Sequence, residues 1–147
     1  MTDYMIKLKS GAANYRRIKP YLLGADHNDG HFKYTSEGYE DFVVENLGYG
    51  DTWGNPIYSI THYYEQNGDL MSDPDMMISV NDRLGWVMPL SFQNDGMGLY
   101  QQVFTADGRY NPHLMHDLDN FLAHWTKNII DQGFDPAQPW KQKSTKI

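Results

Sequence analysis

A group of side chains capable of acid–base and metal-binding chemistry surrounds one short turn in this chain. The turn is Asn67-Gly68, a dipeptide that strongly predicts a β-hairpin when strand-like residues flank it. Folding alone does not require so many carboxyl, imidazole and phenol groups beside one turn. We therefore take these residues as the candidate binding site: His62, Tyr64, Glu65, Asp69, Asp73 and Asp75.

Pairing the two strands outward from the turn predicts which of these residues are neighbours. Tyr64 is placed opposite Met71, and His62 opposite Asp73. Because side chains alternate between the faces of a strand, Asp75 is expected on the same face as Asp73, two residues along. The sequence thus predicts that an imidazole and two carboxylates share one face of the sheet.

Such a group could hold a divalent cation. Carboxylate oxygens suit magnesium and manganese, and an imidazole adds a borderline ligand. Against this, the segment Asp73-Pro74-Asp75 is equally typical of a turn, and clusters of acids commonly form a solvated surface. We therefore assign no cofactor, and keep one alternative function open. It is a metal-dependent hydrolase or nuclease that uses His62, Asp69, Asp73 and Asp75.

Charge is unevenly distributed along the chain. Residues 20–140 contain four basic and 18 acidic residues, a formal charge of −14. Such a field repels nucleic acid phosphates and attracts basic surfaces, although acidity also serves solubility alone. The chain has 11 tyrosines, and tyrosine beside a carboxylate can receive lysine and arginine side chains. We expect a basic protein partner and no direct binding to nucleic acid.

Several function classes lack their sequence signals. There is no cysteine, no Gly-x-Ser-x-Gly nucleophile elbow and no phosphate-binding glycine motif. No apolar run approaches the roughly 18 residues that a membrane-spanning helix needs. The N-terminus lacks the apolar core of a secretion signal, so we expect a cytoplasmic protein without a membrane partner.

Hydrophobic periodicity predicts an amphipathic helix over residues 3–22, which Pro20 should end or kink, and then a loop over residues 24–30. A long helix is predicted from Pro112 to the capping Gly133. Pro89 predicts an edge position or a bulge in its strand. Strands are predicted over residues 31–36, 39–46, 57–65, 71–80, 86–92 and 99–104.

This order of elements predicts an α+β fold. We expect an antiparallel sheet of five to six strands, with the N-terminal helix and the long C-terminal helix packed on one face. Residues 1–140 are predicted to form a single domain, and residues 141–147 a flexible basic tail.

The chain resembles an uncharacterised bacterial and phage domain family carried on plasmids and other mobile elements, sometimes near or fused to antirestriction proteins. The resemblance spans residues 30–135 and rests on the motifs YYEQNGDLM with DPDM, NDGMGLYQ, and FLAHW followed by NII and QGF. The family brings no catalytic residues to this chain. What the resemblance implies is an accessory protein of a mobile element, one that could blunt host defence.

Together these observations favour a non-enzymatic acidic binding protein. Its expected partner is a basic, nucleic-acid-binding host enzyme such as a restriction or CRISPR nuclease, which makes an anti-defence inhibitor the specific hypothesis. The metal-dependent hydrolase remains the alternative. A third interpretation is a homo-oligomer assembled through exposed aromatic side chains.

Overall fold

A computed structural model describes residues 8–144, with side chains through Lys141. Its helices and strands, in chain order, are α1 (Gly11–His27), β1 (His31–Tyr34), β2 (Phe42–Gly50), β3 (Pro56–Gln66), β4 (Asp69–Asn81), β5 (Trp86–Asn94), a short 3-10 turn (Asp95–Met97), β6 (Leu99–Gln102), α2 (Pro112–Asp131) and α3 (Gln138–Ser144).

The six strands form one antiparallel sheet in which each strand pairs with its neighbours in sequence, in the order β1 to β6. Helices α1 and α2 cover one face of this sheet. The ring of Tyr21 in α1 lies 5.8 Å from that of Phe42, and the ring of Trp125 in α2 lies 6.0 Å from it. The predicted α+β class and the placement of both helices on one face are confirmed.

The core lies between the helices and the sheet. Cross-strand neighbours Val44, Ile60 and Met76 form one buried row on the helix-covered face. Buried residues of α1 and α2 complete this core: Ile18, Tyr21, Leu22, Ala25, Leu118, Leu122, Trp125 and Ile129. The opposite face, which we call the open face, bears no helix in the part of the chain that the structure describes.

Helix α1 differs from its prediction at both ends. It begins at Gly11, while residues 3–7 of the predicted helix lie outside the described residues. Pro20 does not end it, and the predicted loop over residues 24–30 is helical as far as His27. The helix continues past Pro20 because of tertiary packing. The helical turns on either side of Pro20 bury their apolar side chains in the core, and this burial outweighs the local cost of the proline.

The first two predicted strands pair as a hairpin, but the loop between them is longer than the predicted gap at residues 37–38. Strand β1 ends at Tyr34 and β2 begins at Phe42, and these two residues pair directly. Gln138 of α3 occupies the edge beyond β1, where its amide accepts from Thr35 N (3.0 Å) and donates to Thr35 O (2.8 Å). This side chain satisfies part of the exposed strand edge as another strand would.

Helix α2 matches its prediction closely. It runs from Pro112, with Asn111 as the N-cap, and Gly133 follows it with a φ of 85°. The bulge expected at Pro89 is also present, because the β4–β5 register shifts beside its partner Ile78. Short helix α3 falls partly within the predicted flexible tail, and residues 145–147 lie outside the described part of the chain. No helix among the described residues is both long and apolar enough to cross a membrane.

Candidate binding face

The hairpin at Asn67-Gly68 forms as the sequence predicts. Both residues have positive φ, 56° and 85°, which matches the turn type that suits the twist of a two-residue hairpin. Tyr64 pairs with Met71, as expected from counting outward. The turn chemistry of two residues therefore sets the register at this end of β3 and β4.

Farther from the turn the predicted register is wrong. Thr61 pairs with Asp75, and His62 lies across from the two-residue segment Asp73-Pro74 instead of facing Asp73 alone. Proline has no N–H to give to the ladder, so an extra residue is accommodated there as a bulge. One extra residue moves every later side chain of β4 to the other face. His62 and Asp75 thus lie on opposite faces of the sheet.

His62 belongs to the helix-covered face. Its ring centroid lies 5.4 to 5.8 Å from those of Phe42, Trp125 and Phe134. Nδ1 donates to the carbonyl oxygens of Glu40 (3.3 Å) and Asp41 (3.2 Å), since these can only accept. Burial lowers the pKa of His62, although the two carbonyls oppose this. The arrangement is that of a neutral core histidine.

The other predicted site residues are spread along the hairpin. Glu65 and Asp69 are exposed at its tip, and Tyr64 is half-buried. Asp73 is exposed and accepts a 2.6 Å hydrogen bond from Asn94 Nδ2. Among the described residues, no three His, Asp or Glu side chains are arranged to hold a metal ion.

Asp75 instead lies in a polar row across the open face. Direct cross-strand pairing links Thr61, Asp75, Gln93 and Tyr100 on four successive strands, β3 to β6. The neighbouring row is also polar at three of its four positions, which are Ser59, Met77, Ser91 and Gln102. This face of the sheet therefore offers hydrogen-bonding groups where the other face offers hydrocarbon.

The environment of Asp75 distinguishes it from the exposed acids at the hairpin tip. Ser59 Oγ donates to its Oδ1 at 3.1 Å. Burial raises the pKa of Asp75, the hydroxyls of Ser59 and Thr61 oppose this, and the charges of Asp95 and Glu45 raise it further. A half-buried carboxyl with a raised pKa, set among other acids, is a typical functional-site candidate.

Asp95 is anchored more firmly than any other acid of this face. Its Oδ2 accepts from both the backbone N and the Oγ of Ser72, each at 2.9 Å, and its Oδ1 accepts from Gln93 Nε2 at 2.7 Å. Hydrogen bonds from the Ser72 backbone, from Gln93 and from the Ser72 hydroxyl lower the pKa of Asp95. Asp95 therefore keeps its negative charge over the physiological pH range.

A phenol completes the group. Burial raises the pKa of Tyr63, and the nearby charge of Asp75 raises it further. Tyr63 thus stays neutral, with its ring beside the carboxylates. Carboxylates and phenol rings together attract cationic groups, because the acids supply charge and the rings supply a polarizable surface.

Sequence reasoning missed most of this face. It included Asp75 but not Glu45, Thr61, Gln93 or Asp95, because these come together only across separate hairpins. One available signal was Pro74, since a proline inside a strand predicts a bulge and hence a change of face.

The chain belongs to the family described as a domain of unknown function (DUF6908), whose model matches residues 13–135. This bears out the expected membership of an uncharacterised domain family. No curated protein and no solved structure matches the chain.

Proposed function

We propose that this protein is a non-enzymatic binding protein whose open face engages a basic protein partner. One observation carries the proposal, the concentration of negative charge in the sheet. Residues 42–102, which include strands β2 to β6, contain eight acidic residues and one basic residue, Arg83. Their formal charge of −7 equals that of the whole chain.

Positive and negative charges also lie on different sides of the sheet. Basic residues concentrate in α1, where Arg16, Arg17 and Lys19 lie on the helix-covered side of the sheet. Three acids meet on the open face, because Glu45 and Asp95 both act electrostatically on Asp75. A basic surface is therefore drawn toward the open face, and such steering raises association rates and depends on ionic strength.

The resemblance to a family carried on mobile elements makes the proposal more specific. We propose an accessory protein of a plasmid or phage that inhibits a nucleic-acid-binding host enzyme, such as a restriction or CRISPR nuclease. The positively charged channel of such an enzyme suits an acidic face of this kind. We do not favour the alternative hydrolase, since His62 does not share a face with Asp75.

The test is binding to a panel of purified restriction and CRISPR nucleases at 50 mM and 500 mM salt, with acidic proteins of similar size as negative controls. We expect at least one basic partner to bind at low salt and to weaken steeply at high salt. The open-face variant carries Glu45→Gln and Asp75→Asn. The matched control carries Asp117→Asn and Asp131→Asn, which remove the same charge from exposed positions of α2.

The open-face variant should weaken the complex clearly more than the control variant. If no basic partner binds, or if 500 mM salt leaves the complex intact, the proposal fails. Equal weakening by the two variants would show that net charge, not the open face, drives association. Inhibition of nuclease cleavage by the wild-type protein, lost in the open-face variant, would support the anti-defence role.

A further inference from the structure

A cleft of about 320 Å³ opens where β5 turns into β6. Its volume is at the small end of the range for ligand sites, which suits one side chain better than a whole cofactor. Six residues line it: Gln93, Asn94, Asp95, Gly98, Leu99 and Tyr100. None is basic, and one is a carboxylate.

The carboxylate of Asp95 is already held in position before any ligand binds. The three hydrogen bonds from Ser72 and Gln93 hold Asp95 in one orientation and keep it ionised. A carboxylate has about four acceptor positions, so these bonds leave room for a further donor. Binding a cation here costs little side-chain entropy, because the carboxylate is already ordered.

An exposed aromatic residue also lines the cleft. Tyr100 is 57% exposed, and it pairs directly with Gln93 across β5 and β6. Gln93 donates its Nε2 to Asp95, so its Oε1 is turned away from that bond as a second acceptor. The cleft thus combines a fixed negative charge, an amide oxygen and an exposed phenol ring.

We propose that this cleft receives the side chain of an arginine. A guanidinium is planar, so it can lie on the ring of Tyr100 while its N–H groups reach Asp95 and Gln93. A lysine ammonium is a compact and strongly hydrated charge that cannot stack in this way. The assignment of that arginine to a basic protein partner rests on the proposed function, whereas the chemistry of the cleft does not.

The test is an NMR titration of the ¹⁵N-labelled protein with N-acetyl-arginine methylamide. The comparison ligands are the lysine analogue and the citrulline analogue, which keeps the planar shape without the charge. We expect saturable shifts confined to residues 93–100 with the arginine ligand, weaker binding of the lysine ligand and no saturation with citrulline.

Substitutions of Tyr100 test the role of its ring without disturbing the turn. Tyr100→Ala should weaken arginine binding by about two- to fivefold, the size expected for an exposed cation–π contact. Tyr100→Phe should retain it, because the ring face is preserved. Tyr49→Ala is the matched control, since Tyr49 is 58% exposed on β2 and does not line the cleft.

The inference is overturned if the arginine ligand gives no saturable shifts, if lysine binds as well as arginine, or if Tyr100→Ala behaves like Tyr49→Ala. These results are separable from the partner experiment. Arginine binding in the cleft with no basic partner would refute the proposed function alone. The opposite result would be a salt-sensitive partner that binds the Tyr100→Ala variant as well as the wild type, together with no binding of the arginine ligand. That result would refute the arginine site alone.

Discussion

The contact between α1 and β1 at Gly24 leaves no room for a side chain. A Cβ at this position would stand 2.2 Å from Tyr34 Oη and 2.9 Å from Pro139 Cγ. The hydroxyl cannot move freely, because it donates a 2.6 Å hydrogen bond to Tyr21 O inside the core. Gly24→Ala must therefore displace either the ring of Tyr34 or the helix itself.

The expected cost follows from three terms. Overpacking costs about 1–3 kcal/mol. Leaving the buried Tyr34 hydroxyl without its acceptor costs about 1–3 kcal/mol. The higher helix propensity of alanine relative to glycine stabilises the helix by about 1 kcal/mol. We expect Gly24→Ala to lower the free energy of unfolding by about 3 kcal/mol, measured by urea denaturation at 25 °C.

The matched control is Gly11→Ala in the same helix, where the nearest atom outside the helix backbone, Leu8 Cβ, lies 3.4 Å from the added carbon. This change should be close to neutral. A double-mutant cycle with Tyr34→Phe isolates the proposed cause, since removing the hydroxyl removes the 2.2 Å contact. Gly24→Ala should then cost at least about 1 kcal/mol less in the Tyr34→Phe background. If Gly24→Ala stabilises the protein, or if the two substitutions are additive, the steric argument is wrong.

Two further predictions concern α2. Burial raises the pKa of Asp119, although the hydrogen bond that its Oδ2 accepts from Ser10 N (3.0 Å) opposes this. The folded state therefore binds the proton more tightly than the unfolded chain does. Stability falls as the pH rises from the ordinary carboxyl pKa through the raised folded value. We expect Asp119→Asn to lose less stability between pH 4 and pH 7 in thermal melts, and an unchanged pH profile would contradict the buried charge. Asn111→Ala removes the N-cap bond to Leu114 N (3.0 Å) and should cost about 1 kcal/mol, whereas Asn120→Ala at an exposed position of the same helix should cost nothing. Equal urea midpoints for these two variants would rule out a capping role.

The sequence by itself determined the elements whose signals are local. Asn67-Gly68 determined the position of the β3–β4 hairpin turn, because glycine and asparagine tolerate the positive φ that such a turn needs. Pro112 and the apolar stripe ending at Ile129 set α2, because both depend only on spacing along one helix. The order of helices and strands then allowed few folds other than a sheet covered on one face.

Only the tertiary structure decided where α1 ends and which side chains meet. Helix α1 passes Pro20 because the core holds its second half in place. Because of the bulge at Asp73-Pro74, Asp75 lies on the open face, opposite to His62, and pairs with Gln93. In a strand a single residue reverses every later side chain, so the composition of a face depends on the register of distant partners. Pro74 indicates that the ladder is interrupted, but local patterns do not specify how the strands pair beyond the interruption.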